Sequence, residues 1–334
     1  MRLYRRLLLV AILLAFAVIA LGAYVRLSDA GLGCPDWPGC YGHWLGVPEA
    51  HHEQQAAAQA YPDRPLDTGK AWKEMLHRYL AGILGLLILT LCLLAWRKEY
   101  RNCQSPTLPT ALLGIVSLQA ALGMWTVTLL LKPMIVTLHL LGGMTTLALL
   151  LTLLLRGGQT AATPHTGNRL RLLAALALLL VIAQIALGGW VSSNYAALAC
   201  SDFPLCQGQW KPPMDLAQAF TVHRELGYSG DGSLLSNAAL TAIHWSHRLG
   251  ALAVLAGIAT LALALLRSAW RGGRLWGSIL FGLLGLQIGL GIANVLLSLP
   301  LALAVAHNLG AAALLSAVLV INLRLHQAKS PWQD

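Results

Sequence analysis

Four histidines carry the chemistry. His77, His139, His247 and His307 each lie inside a long apolar run. Ionisable side chains within a membrane segment are rare and are usually retained for function. A neutral imidazole nitrogen is a good axial ligand for haem iron. Two imidazoles at one depth on facing helices, separated by the width of a porphyrin, form a bis-histidine haem site in a bundle core. The pairs are His77 with His139 and His247 with His307. A zinc or copper centre would need more ligands, and no third ligand repeats in both halves of the chain. Arg78 and Arg248 directly follow the first histidine of each pair. Near an aqueous boundary they can snorkel and meet haem propionates.

One acid breaks the symmetry. Glu74 precedes His77 by three residues, and at the equivalent place before His247 stands His244. On a helix that spacing puts Glu74 on the histidine face, one turn nearer the outer surface. A carboxylate beside a haem edge can accept or deliver protons, so the first pair is the expected reaction site and the second the expected cofactor site. His244 has no role that the sequence suggests.

The elements that must position these residues are transmembrane helices. Of 334 residues, 57% are hydrophobic and 11% charged, against about 25% charged in soluble domains. Apolar runs at about 7–25, 75–95, 108–131, 134–155, 170–192, 239–266, 275–298 and 301–323 approach or exceed the roughly 20 residues that cross a bilayer. Each functional histidine is expected one or two turns into an even-numbered run. The net charge of +10 reports topology, not nucleic-acid binding. Basic residues cluster at Arg5/Arg6, at Arg97/Lys98/Arg101, at Arg156 with Arg169/Arg171, at Arg267/Arg271/Arg274 and at Arg324/Lys329. The positive-inside rule places these segments and both termini in the cytoplasm. The first run is long for a signal-peptide core and lacks a clear cleavage site, so it is expected to be a retained helix. No Arg/Ser-rich transit peptide is evident, which favours a bacterial plasma membrane.

The chain repeats itself. Residues 21–44, LGAYVRLSDAGLGCPDWPGCYGHW, match residues 187–210, LGGWVSSNYAALACSDFPLCQGQW, at an offset of 166. His77-Arg78 matches His247-Arg248 at 170, while Gln119-x-x-Leu-Gly123 matches Gln287-x-x-Leu-Gly291 and His139 matches His307 at 168. The expected fold class is therefore an all-α integral membrane protein of eight transmembrane helices, arranged as two pseudo-symmetric four-helix bundles over residues 1–158 and 159–334. Parallel repeats of this kind are related by an axis along the membrane normal. Gln119, Gln184 and Gln287 occupy similar places in runs 3, 5 and 7 and are expected to bond between helices.

Six cysteines are present. Cys34 and Cys40, and again Cys200 and Cys206, lie in outward loops, where disulfides persist. Cys34–Cys40 and Cys200–Cys206 pairings are expected, as staples over the histidine sites in preference to redox centres. Cys92 falls in a span and Cys103 in a cytoplasmic loop. His43, His51 and His52 follow the first cysteine pair without a symmetric counterpart, and are expected to be solvated.

The eight spans, the two C-x5-C loops, the E-x-x-H-R sequence at Glu74–Arg78 and one histidine in each even span resemble the haem A synthase family over about residues 5–323. That resemblance implies oxidation of the porphyrin C8 methyl of haem O to a formyl group by successive hydroxylations, giving haem A for terminal oxidases. It implies that His77 and His139 hold the substrate haem O, that His247 and His307 hold a haem B cofactor, and that Glu74 is catalytic. Haem O synthase would be the candidate donor of substrate, and an electron acceptor is required. The competing readings are a non-catalytic di-haem b-type electron carrier and a membrane thiol oxidoreductase.

Overall fold

The structure, a computed structural model, describes residues 2–101, 105–156 and 167–326. Cys103, Lys329 and the expected boundary at 158/159 lie outside them. Eight long helices account for most of the described chain. They are α1 (Arg2–Leu27), α2 (Thr68–Trp96), α3 (Thr107–Thr128), α4 (Pro133–Arg156), α5 (Asn168–Ser193), α6 (Asn237–Arg267), α7 (Gly273–Leu296) and α8 (Leu301–His326). All are long and apolar enough to cross a membrane, and large apolar side chains such as Leu13, Leu86, Leu179 and Leu252 face outward along them. The protein is a multi-pass membrane protein.

α2 begins furthest ahead of its apolar run. α2 starts at Thr68, and its polar first turns precede the apolar run. The Asp67 carboxylate accepts from the Lys70 backbone N–H (3.0 Å) and caps this start, as Ser236 does for α6 through the N–H of Ala239 (3.2 Å). Such caps satisfy backbone donors that the first turn leaves free. In consequence His77 lies nine residues beyond Thr68 and His247 ten beyond Asn237. Both are deeper in their helices than the one to two turns expected at 3.6 residues per turn. His139 and His307, six residues into α4 and α8, match that expectation.

The helices pack as two rings. In the first, α1 touches α2, α2 touches α3, α3 touches α4, and α4 returns to α1. In the second, α5, α6, α7 and α8 close in the same order. The histidine-bearing helices of each ring, α2 with α4 and α6 with α8, thus stand diagonally across from one another. The rings meet where α1 and α4 face α5 and α8. At this seam equivalent residues touch. Arg26 donates to the carbonyl of Ser192 (2.7 Å), Tyr195 donates to Asp29 (3.2 Å), and the Arg26 guanidinium lies 4.0 Å from the Tyr195 ring centre. Both hydrogen bonds join residue i to residue i+166. This is consistent with halves related by an approximate two-fold axis.

Burial is uneven along the helices. One continuous core runs through both rings at the end that holds the N-terminus, including Leu8, Ile88, Leu112, Leu150, Ile258, Leu261, Leu280 and Val318. Further along, no residue is buried between Ala15 and Val25 in α1, Met75 and Leu84 in α2, Leu112 and Leu122 in α3, or His244 and Val254 in α6. His77 and His247 sit at this level. Beyond it two smaller clusters close the loop end, one around Cys34, Cys40 and Met75 and one around Trp190, Ala242 and Ile243. Each ring is therefore sealed at its two ends and lined by partly buried groups between them.

Candidate functional site

Each histidine leans on a glycine of the helix before it. A Cβ built on Gly22 of α1 would lie 2.9 Å from His77 Cε1. The same construction gives 3.4 Å from Gly123 to His139, 3.2 Å from Gly188 to His247 and 3.2 Å from Gly291 to His307. At Gly22, Gly188 and Gly291 a Cβ would crowd the imidazole edge, so close approach favours glycine there, whereas at Gly123 it would only reach ordinary contact. The sequence contained this signal, because all four glycines follow a leucine in the repeated L-G frame, but the contact to histidine is visible only once the helices are placed. His77 and His139 stand on diagonal helices of the first ring, and His247 and His307 on diagonal helices of the second.

Three of these rings keep a nitrogen that no interhelical hydrogen bond satisfies, while the Nδ1 of His247 lies 3.0 Å from Gln184 Nε2. Among the described residues the buried Nδ1 atoms of His77, His139 and His307 have no partner. His244 is the contrast. Its Nδ1–H donates to the carbonyl of Ala196 (3.0 Å), and its Nε2 accepts from Arg248 Nε (3.1 Å). Both of its nitrogens are satisfied, as expected of a buried structural group. Paired imidazoles with spare nitrogens, on diagonal helices, at a level not sealed by buried side chains, would suit a flat group that takes nitrogen ligands.

The cysteine loops cap these sites in the same way in both halves. Cys34–Cys40 and Cys200–Cys206 are disulfide-bonded, and all four residues are fully buried. That burial leaves thiol exchange with an outside partner no exposed sulfur. Asp36 accepts from the backbone N–H groups of Tyr41 (2.6 Å) and Gly42 (2.8 Å), and Asp202 from those of Gln207 (2.7 Å) and Gly208 (2.8 Å). The Gly208 N–H first, and that of Gln207 with it, hold the Asp202 carboxyl below its usual pKa. Residues 41 and 207 both take positive φ, +50° and +53°, a conformation that this double bond to the aspartate stabilises.

The two arginines bind the loops to the helices. Arg78 donates to the carbonyls of Asp36 (3.0 Å), Pro38 (3.2 Å) and Gly39 (2.5 Å), and pairs with Glu74 (2.5 Å). Arg248 donates to Leu205 (2.7 Å), Cys200 (3.0 Å) and Asp202 (2.8 Å). Glu74 is buried at 5% exposure, and its second oxygen accepts from the Cys34 backbone N–H (3.0 Å). Glu74 and His244 thus occupy equivalent places, each contacting its own arginine and its own loop. Only the first half has a carboxylate there. His51 and His52 are exposed and His43 is partly buried. His51 and His52 open a short helix, His51–Ala60, that the sequence reading did not anticipate.

The fold and the site define a multi-pass helical membrane protein with two matched histidine pairs, each beneath a disulfide-closed loop. Residues 5–319 match the COX15-CtaA model of cytochrome oxidase assembly proteins, and the chain belongs to that family. It is 44% identical over 328 residues to a haem A synthase of Shewanella oneidensis, covering 97% of each chain. A haem A synthase of Methylobacterium radiotolerans is 31% identical over 329 residues, covering 91% of this chain and 84% of the relative. One from Halalkalibacterium halodurans is 28% identical over 239 residues, covering 69% and 72%.

Proposed function

We propose that this protein is a haem A synthase, an oxidoreductase that converts the C8 methyl of haem O to a formyl group. The observation that carries the proposal is the set of four glycine-buttressed histidines, three with a buried nitrogen that no described residue satisfies, in a chain whose close relatives carry that name. His77 and His139 hold the substrate haem O. His247 and His307 hold a haem B, which supplies an electron relay when bound. The two four-helix halves, 1–158 and 159–334, are the two haem domains. Both termini face the cytoplasm of a bacterial cell and the cysteine loops face outward, in keeping with the basic clusters.

The protein's own work is positioning and proton management. With water as the oxygen source, methyl to formyl (–CH3 + H2O → –CHO + 4 H+ + 4 e–) is a four-electron oxidation whose electrons pass to an external acceptor and whose protons are released at the porphyrin edge. Glu74 is the carboxylate one helical turn from His77, shielded from bulk water and with its two oxygens held by Arg78 and the Cys34 N–H. It is the group placed to accept those protons. Arg78 and Arg248 keep the loops seated, and the same guanidinium charge attracts the propionates of a haem beneath. Haem O synthase is the natural donor of substrate.

The test is expression in a host that makes haem O but no haem A, followed by chromatography of extracted haems. Haem A together with haem B is the expected result. Haem B alone, in both halves, would instead identify an electron carrier.

A further inference from the structure

Three of the four histidines share a clamp that the fourth lacks. A glutamine precedes the buttressing glycine by four residues in α3, α5 and α7, giving Gln119/Gly123, Gln184/Gly188 and Gln287/Gly291. On the next helix a glycine follows the histidine by three, at Gly142, Gly250 and Gly310. The two features fit together, because the glutamine amide fills the notch over that glycine. A Cβ at Gly142, Gly250 or Gly310 would collide with Gln119, Gln184 or Gln287 respectively. From the notch Gln184 Nε2 donates to the backbone carbonyl of His247 (2.9 Å) and sits 3.0 Å from its Nδ1, and Gln287 Nε2 donates to the carbonyl of His307 (3.0 Å). At His247 and His307 the glutamine is a hydrogen-bonded cross-link between helices at the level of the ligand; at His139 Gln119 fills the notch over Gly142, and its buried Nε2 has no partner among the described residues.

Around His77 both halves of the clamp are replaced. Val18 stands where glutamine would, four residues before Gly22, and Leu80 stands where glycine would, three residues after His77. The surrounding sequence is otherwise the same: Val18-Ile-Ala-Leu-Gly22 against Gln184-Ile-Ala-Leu-Gly188. Valine has no donor, and leucine would occupy the notch. Val18 instead packs on the apolar core. Among the described residues no side chain donates to the carbonyl of His77 or of His139, so what sets His77 apart is that the glutamine-over-glycine fit itself is missing, and its ring keeps only the contact with Gly22.

We infer that His77 is the exchangeable ligand, the one that lets go and re-engages as haem O enters and haem A leaves, while the glutamine clamps keep His139, His247 and His307 in place. The inference rests on the haem assignment proposed above. It gives the two sites different tasks through helix packing alone. A site that turns over its haem needs one ligand free to move, and a site that retains its haem needs both ligands fixed.

The experiment measures haem transfer from the purified full-length protein to excess apomyoglobin, with chromatography of the haems that remain. In the wild type, haem O and haem A leave first and haem B stays. The double variant Val18→Gln/Leu80→Gly installs the clamp and should slow release from the first site by about five- to tenfold, the effect of one ordinary net hydrogen bond, without changing haem B. The reverse exchange, Gln184→Val/Gly250→Leu, should speed loss of haem B by a similar factor. Unchanged release in Val18→Gln/Leu80→Gly protein that still shows low-spin haem B would overturn the inference, as would unchanged haem B retention in the reverse variant. Wild-type protein that releases both haems at one rate would overturn it alone, leaving the haem assignment standing. Wild-type protein without bis-imidazole haem would overturn the haem assignment as well.

Discussion

Replacing the four buttressing glycines by alanine, one at a time, tests whether these contacts set the ligand positions. Ordinary carbon–carbon contact begins near 3.4 Å. Gly22→Ala places its Cβ 2.9 Å from His77 Cε1, so the ring must retreat by the difference, 0.5 Å. Gly188→Ala and Gly291→Ala fall 0.2 Å short at 3.2 Å, and Gly123→Ala at 3.4 Å requires no movement. A ligand constellation tolerates roughly 0.5 Å of displacement, and overpacking costs about 1–3 kcal/mol. Gly22→Ala should therefore lose haem from the first site by at least about fivefold in affinity, and Gly123→Ala should be close to neutral. Gly188→Ala and Gly291→Ala should weaken the second site alone, by lesser and equal amounts. The assay is the ratio of each extracted haem to protein, with the low-spin optical spectrum as the measure of ligation. Equal losses in Gly22→Ala and Gly123→Ala, or loss of first-site haem in Gly188→Ala, would refute the reasoning.

Other substitutions separate the remaining roles. Glu74→Gln keeps an acceptor for the Cys34 N–H but removes the charge facing Arg78. It should retain haem B and fail to convert haem O, and normal haem A production would remove Glu74 from the mechanism. His247→Ala and His307→Ala should each lose the resident low-spin haem B spectrum, whereas a full complement of that haem would contradict the ligand assignment. Arg248→Ala strips donors from three loop carbonyls and from His244. It should lower stability by about 2 kcal/mol and speed reduction of Cys200–Cys206 by an added reductant, measured by thiol mass-tagging. An unchanged reduction rate would show that the arginine does not hold the loop.

Much of this architecture was legible in the residues because a membrane simplifies the physics. Runs of apolar side chains had to be helices, and an imidazole within one had to have a reason to be there. The cysteine pairs and the L-G frame repeated at one offset, so the loops and the duplication followed. What the sequence hid was local. The start of α2 escaped hydropathy because its first turns are polar and held by Asp67. The short helix His51–Ala60 lacks the apolar run that announces a span. The arginines were expected at the haem edge, yet in the structure Nη groups of both reach loop carbonyls, an arrangement that depends on how the loops fold back. His244 had no reading until Ala196 and Arg248 were seen to satisfy both its nitrogens. The fit between Gln184 and Gly250 joins residues sixty-six positions apart, beyond the reach of any periodicity.

The seam at which Arg26 meets Ser192 and Asp29 meets Tyr195 is the kind of surface that two identical subunits present to one another, where each patch contacts its own copy. In a homodimer of a single four-helix unit every substitution would be made twice, so the two cradles would remain alike. One continuous chain with the same seam lifts that constraint. An acid can be written into one cradle and a histidine into the other, and a glutamine can be dropped beside one ligand while three are kept. Covalent continuity across an otherwise dimer-like interface is what permits two unlike cradles to sit side by side in one molecule.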